Sequence, residues 1–226
     1  MRTLLALALI LTALPSFASV NEGYRVGRWE VSLNPGVAIP LGATSDEMSN
    51  SGVVQLVAGY QFNEYLNFGA ELGWQFNHRW GGQTAGQFAQ DFDKDGIDDR
   101  APFSSNIHEK ILGLSPAVKL GQWVDVLSYK FRPYLTMSAG FYHAWTNSGT
   151  TVVQGNDQIS GKLVGPIITT YDTSSNSYFG FSGGGGLDIL VDENAAVGFD
   201  LRYSRITKPY EDLEFLTPSL RISYLF

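Results

Sequence analysis

Leu66-Asn67-Phe68-Gly69-Ala70-Glu71-Leu72-Gly73-Trp74-Gln75-Phe76-Asn77 alternates without a break. Leu66, Phe68, Ala70, Leu72, Trp74 and Phe76 take one parity, and Asn67, Gly69, Glu71, Gly73, Gln75 and Asn77 the other. Successive side chains of a β-strand point to opposite faces, so this segment has one apolar wall and one polar wall.

The same parity recurs along the chain. Trp29, Val31, Leu33, Val37, Ile39 and Leu41 oppose Glu30, Ser32 and Asn34; Val54, Leu56, Ala58, Tyr60 and Phe62 oppose Gln55, Gly59 and Gln61. Leu112, Leu114, Val118 and Leu120 oppose Gly113, Ser115 and Lys119; Phe131, Leu135, Met137, Ala139 and Phe141 oppose Arg132, Tyr134, Thr136 and Ser138. Phe179, Phe181, Leu187 and Ile189 oppose Ser182, Gly184 and Asp188; Val197, Phe199, Leu201 and Tyr203 oppose Gly198, Asp200 and Arg202. In the last segment Leu220, Ile222, Tyr224 and Phe226 oppose Ser219, Arg221, Ser223 and Leu225. These are eight strands, an even number that lets antiparallel strands close without an exposed edge. The links alternate between shorter ones (63–64, 121–129, 191–194) and mostly longer ones (42–51, 81–109, 146–176, 206–212).

Charge decides which face looks outward. The apolar sets are almost free of it, whereas the opposite sets hold Glu30, Glu71, Lys119, Arg132, Asp188, Asp200, Arg202 and Arg221. A lysine or arginine facing lipid at the bilayer midplane costs about 2–4 kcal/mol, so the charged set must face inward. A soluble barrel of the lipocalin kind has the reverse arrangement. The expected fold is all-β: an eight-stranded antiparallel transmembrane β-barrel with a polar lumen, short periplasmic turns and long extracellular loops. Pro116, Pro133 and Pro218 fall within strands, where proline removes a ladder hydrogen bond; a bulge near a rim is the expected reading, and a local break in the wall that lets a ligand leave sideways into lipid is the alternative.

Composition agrees. Charged residues make up 16% of the chain, below the soluble norm of about 25%, while glycine and aromatics are plentiful. With no cysteine there is no disulfide framework or thiol chemistry. The net charge of −7 argues against a nucleic-acid partner. Arg2, the apolar run Leu4–Leu14 and Ser16-Phe17-Ala18 read as a cleaved signal peptide over 1–18, leaving a barrel domain over 19–226.

Phe131-Arg132-Pro133-Tyr134 with Gly140-Phe141-Tyr142 after it, the run Phe179-Gly180-Phe181-Ser182-Gly183-Gly184-Gly185-Gly186-Leu187-Asp188, and Asp200-Leu201-Arg202-Tyr203 resemble small outer-membrane barrels of the OmpW/OmpA-like superfamily. The resemblance covers nearly all of the mature chain and is specific for the fold, not for an activity. It implies a bacterial outer-membrane location among lipid and lipopolysaccharide, and contact with periplasmic chaperones and the outer-membrane assembly machinery. Phe226, with Tyr224, matches the aromatic-ended strand which that machinery reads. No peptidoglycan-binding domain is expected after the last strand.

Three groups of residues carry candidate chemistry. Asp91, Asp93 and Asp95 alternate, Gly96 permits a sharp turn, Ile97 offers a carbonyl and Asp99 a further oxygen, the beginning of a calcium loop. An EF-hand needs a glutamate where Pro102 stands, so the match is to shorter aspartate repeats, and calcium is the one cofactor expected. Glu71, Asp188 and Asp200 can pair with Lys119, Arg132, Arg202 and Arg221 across a narrow lumen, as a plug or as a gate. His78 and His143 share the lipid-facing parity beside Trp74, Trp80 and Trp145, which reads as an interfacial aromatic belt. Lipid A deacylases of this shape use a His-x-Ser pair, but Ala144 and Trp145 follow His143, and His108 beside Glu109 has no evident nucleophile. In the loop 146–176, Val152, Val153, Leu163, Val164, Ile167 and Ile168 read either as a hairpin above the membrane or as the hydrophobic entrance an OmpW-like resemblance implies.

The expected function is non-enzymatic: a narrow channel or passive conduit for small solutes, hydrophobic ones included. The alternatives are a structural or adhesive surface barrel with a plugged lumen and, behind it, a lipid A-modifying enzyme.

Overall fold

In the computed structural model the long alternating segments are strands flanked on both sides. The structure describes residues 26–79, 87–90, 99–105, 107–126, 129–156, 163–209 and 212–226; the expected signal peptide and the Asp91–Ile97 part of the aspartate loop lie outside them. In chain order the strands are β1 (Trp29–Pro40), β2 (Ser51–Gln61), β3 (Leu66–Arg79), β4 (Gln87–Gln90), β5 (Asp99–Ser105), β6 (His108–Gly121), β7 (Val124–Val126), β8 (Tyr129–Thr146), β9 (Gly149–Asn156), β10 (Leu163–Tyr171), β11 (Ser174–Asp192), β12 (Ala195–Thr207) and β13 (Leu213–Leu225). One turn of helix, α1 (Thr44–Glu47), follows β1.

The strands β1, β2, β3, β6, β8, β11, β12 and β13 pair antiparallel in that order, and β13 pairs back onto β1. The result is a closed eight-stranded barrel. Glu30 opposite Leu225, and Leu33 opposite Ile222, set the closing register. At the end that holds the short links, Glu193 and Asn194 turn β11 into β12. In the β2–β3 link Asn63 Oδ1 accepts the backbone N–H groups of Tyr65 and Leu66, each at 2.9 Å, which closes the turn with a side chain in place of a backbone acceptor. The β6–β8 link contains β7, which pairs onto the start of β8 as a small hairpin.

Exposure follows the parity. Met137, Phe141 and Leu220 are about two-thirds exposed on the outer wall, while Glu71, Arg132, Asp188, Asp200 and Arg202 are buried inside. Aromatics gather at both rims. Trp29 meets Tyr60 at 5.5 Å and Tyr224 meets Phe226 at 4.9 Å near the short turns, while Trp74 stacks on Trp145 at 6.5 Å near the long loops. Two girdles bounding an apolar band are what a barrel shows to a bilayer and its interfaces.

Two expectations are corrected. The bulges assigned to Pro116, Pro133 and Pro218 are absent: pairing runs in one register through Ala70–Pro116, Pro133–Leu187 and Leu201–Pro218. Paired residues are missing beside Pro116 on the β8 side and beside Pro218 on the β1 side, so those prolines interrupt a ladder locally without inserting a residue. The register shifts instead between Gln75 and His78, where Asn77 has φ +50°. Asparagine tolerates that left-handed conformation. The extra residue reverses the parity above it, as bulges do, so Asn77 is exposed and His78 is turned into the lumen.

Above the barrel the two longest loops join. β4 and β5, from the β3–β6 connection, and β9 and β10, from the β8–β11 connection, form a four-stranded sheet in the order β10-β9-β5-β4. The joint is the β5–β9 pairing, with Arg100 opposite Asn156 and Phe103 opposite Val153. The hairpin expected in the loop 146–176 is therefore half of a sheet.

Candidate functional site: the lumen

From the short-turn end upward, the lumen is filled first by charge. Glu30 lies one residue into β1, and its Oε1 accepts hydrogen bonds from Lys119 Nζ (2.9 Å), Arg132 Nη2 (2.7 Å) and Arg221 Nη2 (2.9 Å). Asp188 Oδ2 accepts from Lys119 Nζ (2.9 Å) and from Arg132 Nη2 (2.6 Å) and Nε (3.1 Å), and Oδ1 lies 3.4 Å from Arg221 Nε. Asp200 Oδ2 accepts from Arg202 Nε (3.0 Å) and Nη2 (2.8 Å), and Arg202 also pairs with Glu71. Arg221 Nη1, 3.9 Å from Asp200, links the two clusters.

Four carboxylates thus meet four cations with no net charge. Tyr134 sits among them, its ring 4.3 Å from Lys119 Nζ and 5.4 Å from the Arg221 guanidinium; Trp123 covers Arg132 at 4.7 Å. Such a network exists because each ion alone would carry a desolvation cost of several kcal/mol in this position.

A neutral polar layer follows, with Gln55, Gln75, Ser115, Ser204 and Thr217, and Ser138 bonded to Ser182 at 2.7 Å. Tyr142 spans it over two glycines: a Cβ at Gly113 would lie 2.7 Å from the ring, and one at Gly180 2.8 Å. Among the described residues, two cavities of about 10 and 20 Å³ lie in these layers, each with room for about one water.

The outer mouth is apolar. Ala38, Met48, Val53, Ile111, Ala144, Ile206, Leu213 and Phe215 form one buried cluster with Tyr142. Met48 comes from the β1–β2 loop, which lies across the mouth. Glu214 N–H donates to Thr44 Oγ1 (3.0 Å), and Ser49 N–H donates to the Arg79 carbonyl (2.9 Å). His78 fastens the same loop: its Nδ1 donates to the Ser49 carbonyl (2.9 Å), while Nε2 lies 2.9 Å from Ser51 Oγ and 2.7 Å from Gln75 Oε1. His78 is therefore a lumen residue, and its reading as a belt histidine is corrected. Beside it buried Glu109 accepts from Lys208 Nζ at 2.9 Å.

The structure brings Glu71, Lys119, Arg132, Asp188, Asp200, Arg202 and Arg221 into one chain of contacts, and adds Glu30 as its hub. Glu30 already had inward parity, which was the available signal. Tyr224 and Phe226 lie on the outer wall, with the Phe226 N–H donating to the Trp29 carbonyl at 2.9 Å. Asp91, Asp93, Asp95 and Ile97 are outside the described residues, whereas Asp99 begins β5 with its backbone opposite Gln90. His143 does face outward, edge-on to Trp145 at 4.3 Å. A serine does reach it: Ser177, its cross-strand partner on β11, places Oγ 2.8 Å from Nδ1. Adjacent-residue spacing could not have revealed that pair, because its members are 34 residues apart.

Comparison with known proteins places the chain. Residues 4–226 match the family model described as outer membrane protein beta-barrel domain. The fold resembles the crystal structure of Neisserial surface protein A, at 13% identity and a TM-score of 0.53, over 88% of this chain and 97% of that one. OprG from Pseudomonas aeruginosa is 13% identical with a TM-score of 0.49, over 90% of this chain and 98% of that one. The outer membrane protein W of E. coli is 14% identical with a TM-score of 0.40, over 89% and 99%. A search of curated protein sequences gives no significant match. The chain belongs to the outer membrane protein beta-barrel domain family and is a small eight-stranded barrel of the bacterial outer membrane.

Proposed function

We propose that this barrel is a closed surface platform: a non-conducting membrane anchor that displays its joined external sheet. The observation carrying this reading is the lumen, in which the charge network, the polar layer and the Met48–Phe215 cluster follow one another among the described residues, with cavities of about 10 and 20 Å³ between them. A narrow conduit for small solutes is the competing reading, since rearranged ion pairs could open a polar path. Planar-bilayer recording decides between them. The platform gives no reproducible steps, and unitary openings in wild-type protein, accompanied by solute uptake into vesicles, would return the function to a channel.

The function is non-enzymatic on this reading. The His143–Ser177 pair has the nucleophile and the base, but among the described residues no carboxylate orients the imidazole. An altered lipid A mass spectrum on expression would overturn that. Calcium orders the tip between β4 and β5. The Gln90–Asp99 backbone pair brings the ends of this aspartate-rich segment together, and alternating oxygens there suit a hard cation.

A further inference from the structure

A pocket of about 390 Å³ opens at the outer rim where β3, β6 and β8 meet the loops above them. Lys110 and Trp145 form its lower wall and are direct partners across β6 and β8. Lys110 is exposed between buried Glu109 and Ile111, so it stands on the lipid-facing side. The bulge brings Asn77 to that same side. Trp145 is backed by Trp74 at 6.5 Å, within the outer aromatic girdle.

The upper wall is built by directed hydrogen bonds. His108 N–H donates to Asn147 Oδ1 (2.5 Å), Asn147 N–H donates to the His108 carbonyl (3.1 Å), and Ser148 N–H donates to Thr173 Oγ1 (3.2 Å). Two polar groups at this pocket are unspent. Lys110 has no carboxylate partner among the described residues, although the chain carries a net charge of −7. His108 Nδ1 is buried with no hydrogen-bond partner among the described residues. Among the described residues, no acidic side chain lines the pocket.

A concave site with an unpaired cation, amide and imidazole groups above an indole, at the height of the interface, suits an anion attached to an amphiphile. We propose that this pocket binds the phosphorylated headgroup of an outer-leaflet lipid. Lys110 contacts a phosphate oxygen as a point charge, Asn77 and His108 supply further polar contacts, and Trp145 carries the sugar or the first carbons of the chains. A free phosphate shares the anion chemistry but makes no use of the tryptophan wall or the lipid-facing position. The site lies outside the lumen, so the proposal stands whether or not the barrel conducts.

The test uses the folded barrel in detergent micelles, titrated with bis-phosphorylated lipid A, with the same lipid after phosphatase treatment, and with inorganic phosphate; native mass spectrometry reads occupancy. Removing the phosphates weakens binding about tenfold, as does Lys110→Gln, while Lys110→Arg stays near wild type. Lys130→Gln, at the short-turn end, leaves occupancy unchanged. Equal binding of the two lipids, or Lys110→Gln within about twofold of wild type, overturns the proposal. So does displacement of lipid A by inorganic phosphate at equal concentration, which would assign the site to a free anion. The phosphatase comparison needs no variant, so a folding defect in Lys110→Gln does not blunt the test.

Discussion

Removing the Glu30 carboxylate should be the most damaging single change inside this barrel. Its Oε1 holds Lys119, Arg132 and Arg221 at 2.7–2.9 Å, and the network balances four carboxylates against four cations. Glu30→Ala leaves Asp188 to hold Lys119 and Arg132 alone, with one positive charge uncompensated in a buried site. Breaking a buried pair from one side costs about 3–5 kcal/mol, which lowers the folded-to-unfolded ratio roughly a hundredfold to several thousandfold. The assay is urea unfolding of protein folded into lipid vesicles, followed by tryptophan fluorescence. Glu30→Ala/Lys119→Met restores the charge balance and should recover about 1–3 kcal/mol, a coupling that additive behaviour would not give. Asp212→Asn, which breaks a solvent-exposed contact with Arg205, should leave the midpoint unchanged. A Glu30→Ala loss under about 1 kcal/mol, or strict additivity in the double variant, refutes the reasoning.

Three further outcomes follow from the same geometry. Leu72→Arg puts a cation on the outer wall at mid-strand and should cost about 2–4 kcal/mol in the vesicle assay, whereas Leu72→Ile should be nearly silent. Gly180→Ala drives a Cβ to 2.7 Å from the Arg205 carbonyl and 2.8 Å from Tyr142; a loss of about 1–3 kcal/mol is expected, and thermal melts of the folded barrel would register it. Calcium should protect the β4–β5 tip from protease in the wild type, and the Asp93→Ala/Asp95→Ala variant should lose that protection; equal cleavage with and without calcium removes the metal from the account.

Parity made most of the architecture legible. A period of two, with charge excluded from one face, identifies strands, their inward and outward sets, and lipid as the outer solvent. It failed at His78, because a single bulged residue between Gln75 and His78 exchanges the two faces, and Asn77 can adopt positive φ without glycine to announce it. Proline was a poor guide to bulges for the opposite reason: Pro116, Pro133 and Pro218 forgo ladder bonds without changing register. The lumen network was visible as a set of inward charges, but its hub was not, since which carboxylate three cations share depends on the stagger of strands far apart in sequence.

By itself, then, the sequence determined the barrel, its strand count and its membrane setting, because alternation and charge exclusion are local properties that lipid enforces at every strand. Only the tertiary structure decided that Glu30 gathers Lys119, Arg132 and Arg221, that His78 ties the β1–β2 loop down, and that the two long loops merge through β5 and β9. Those outcomes depend on register and closure, which bring Glu30 and Arg221, 191 positions apart, to within hydrogen-bonding distance.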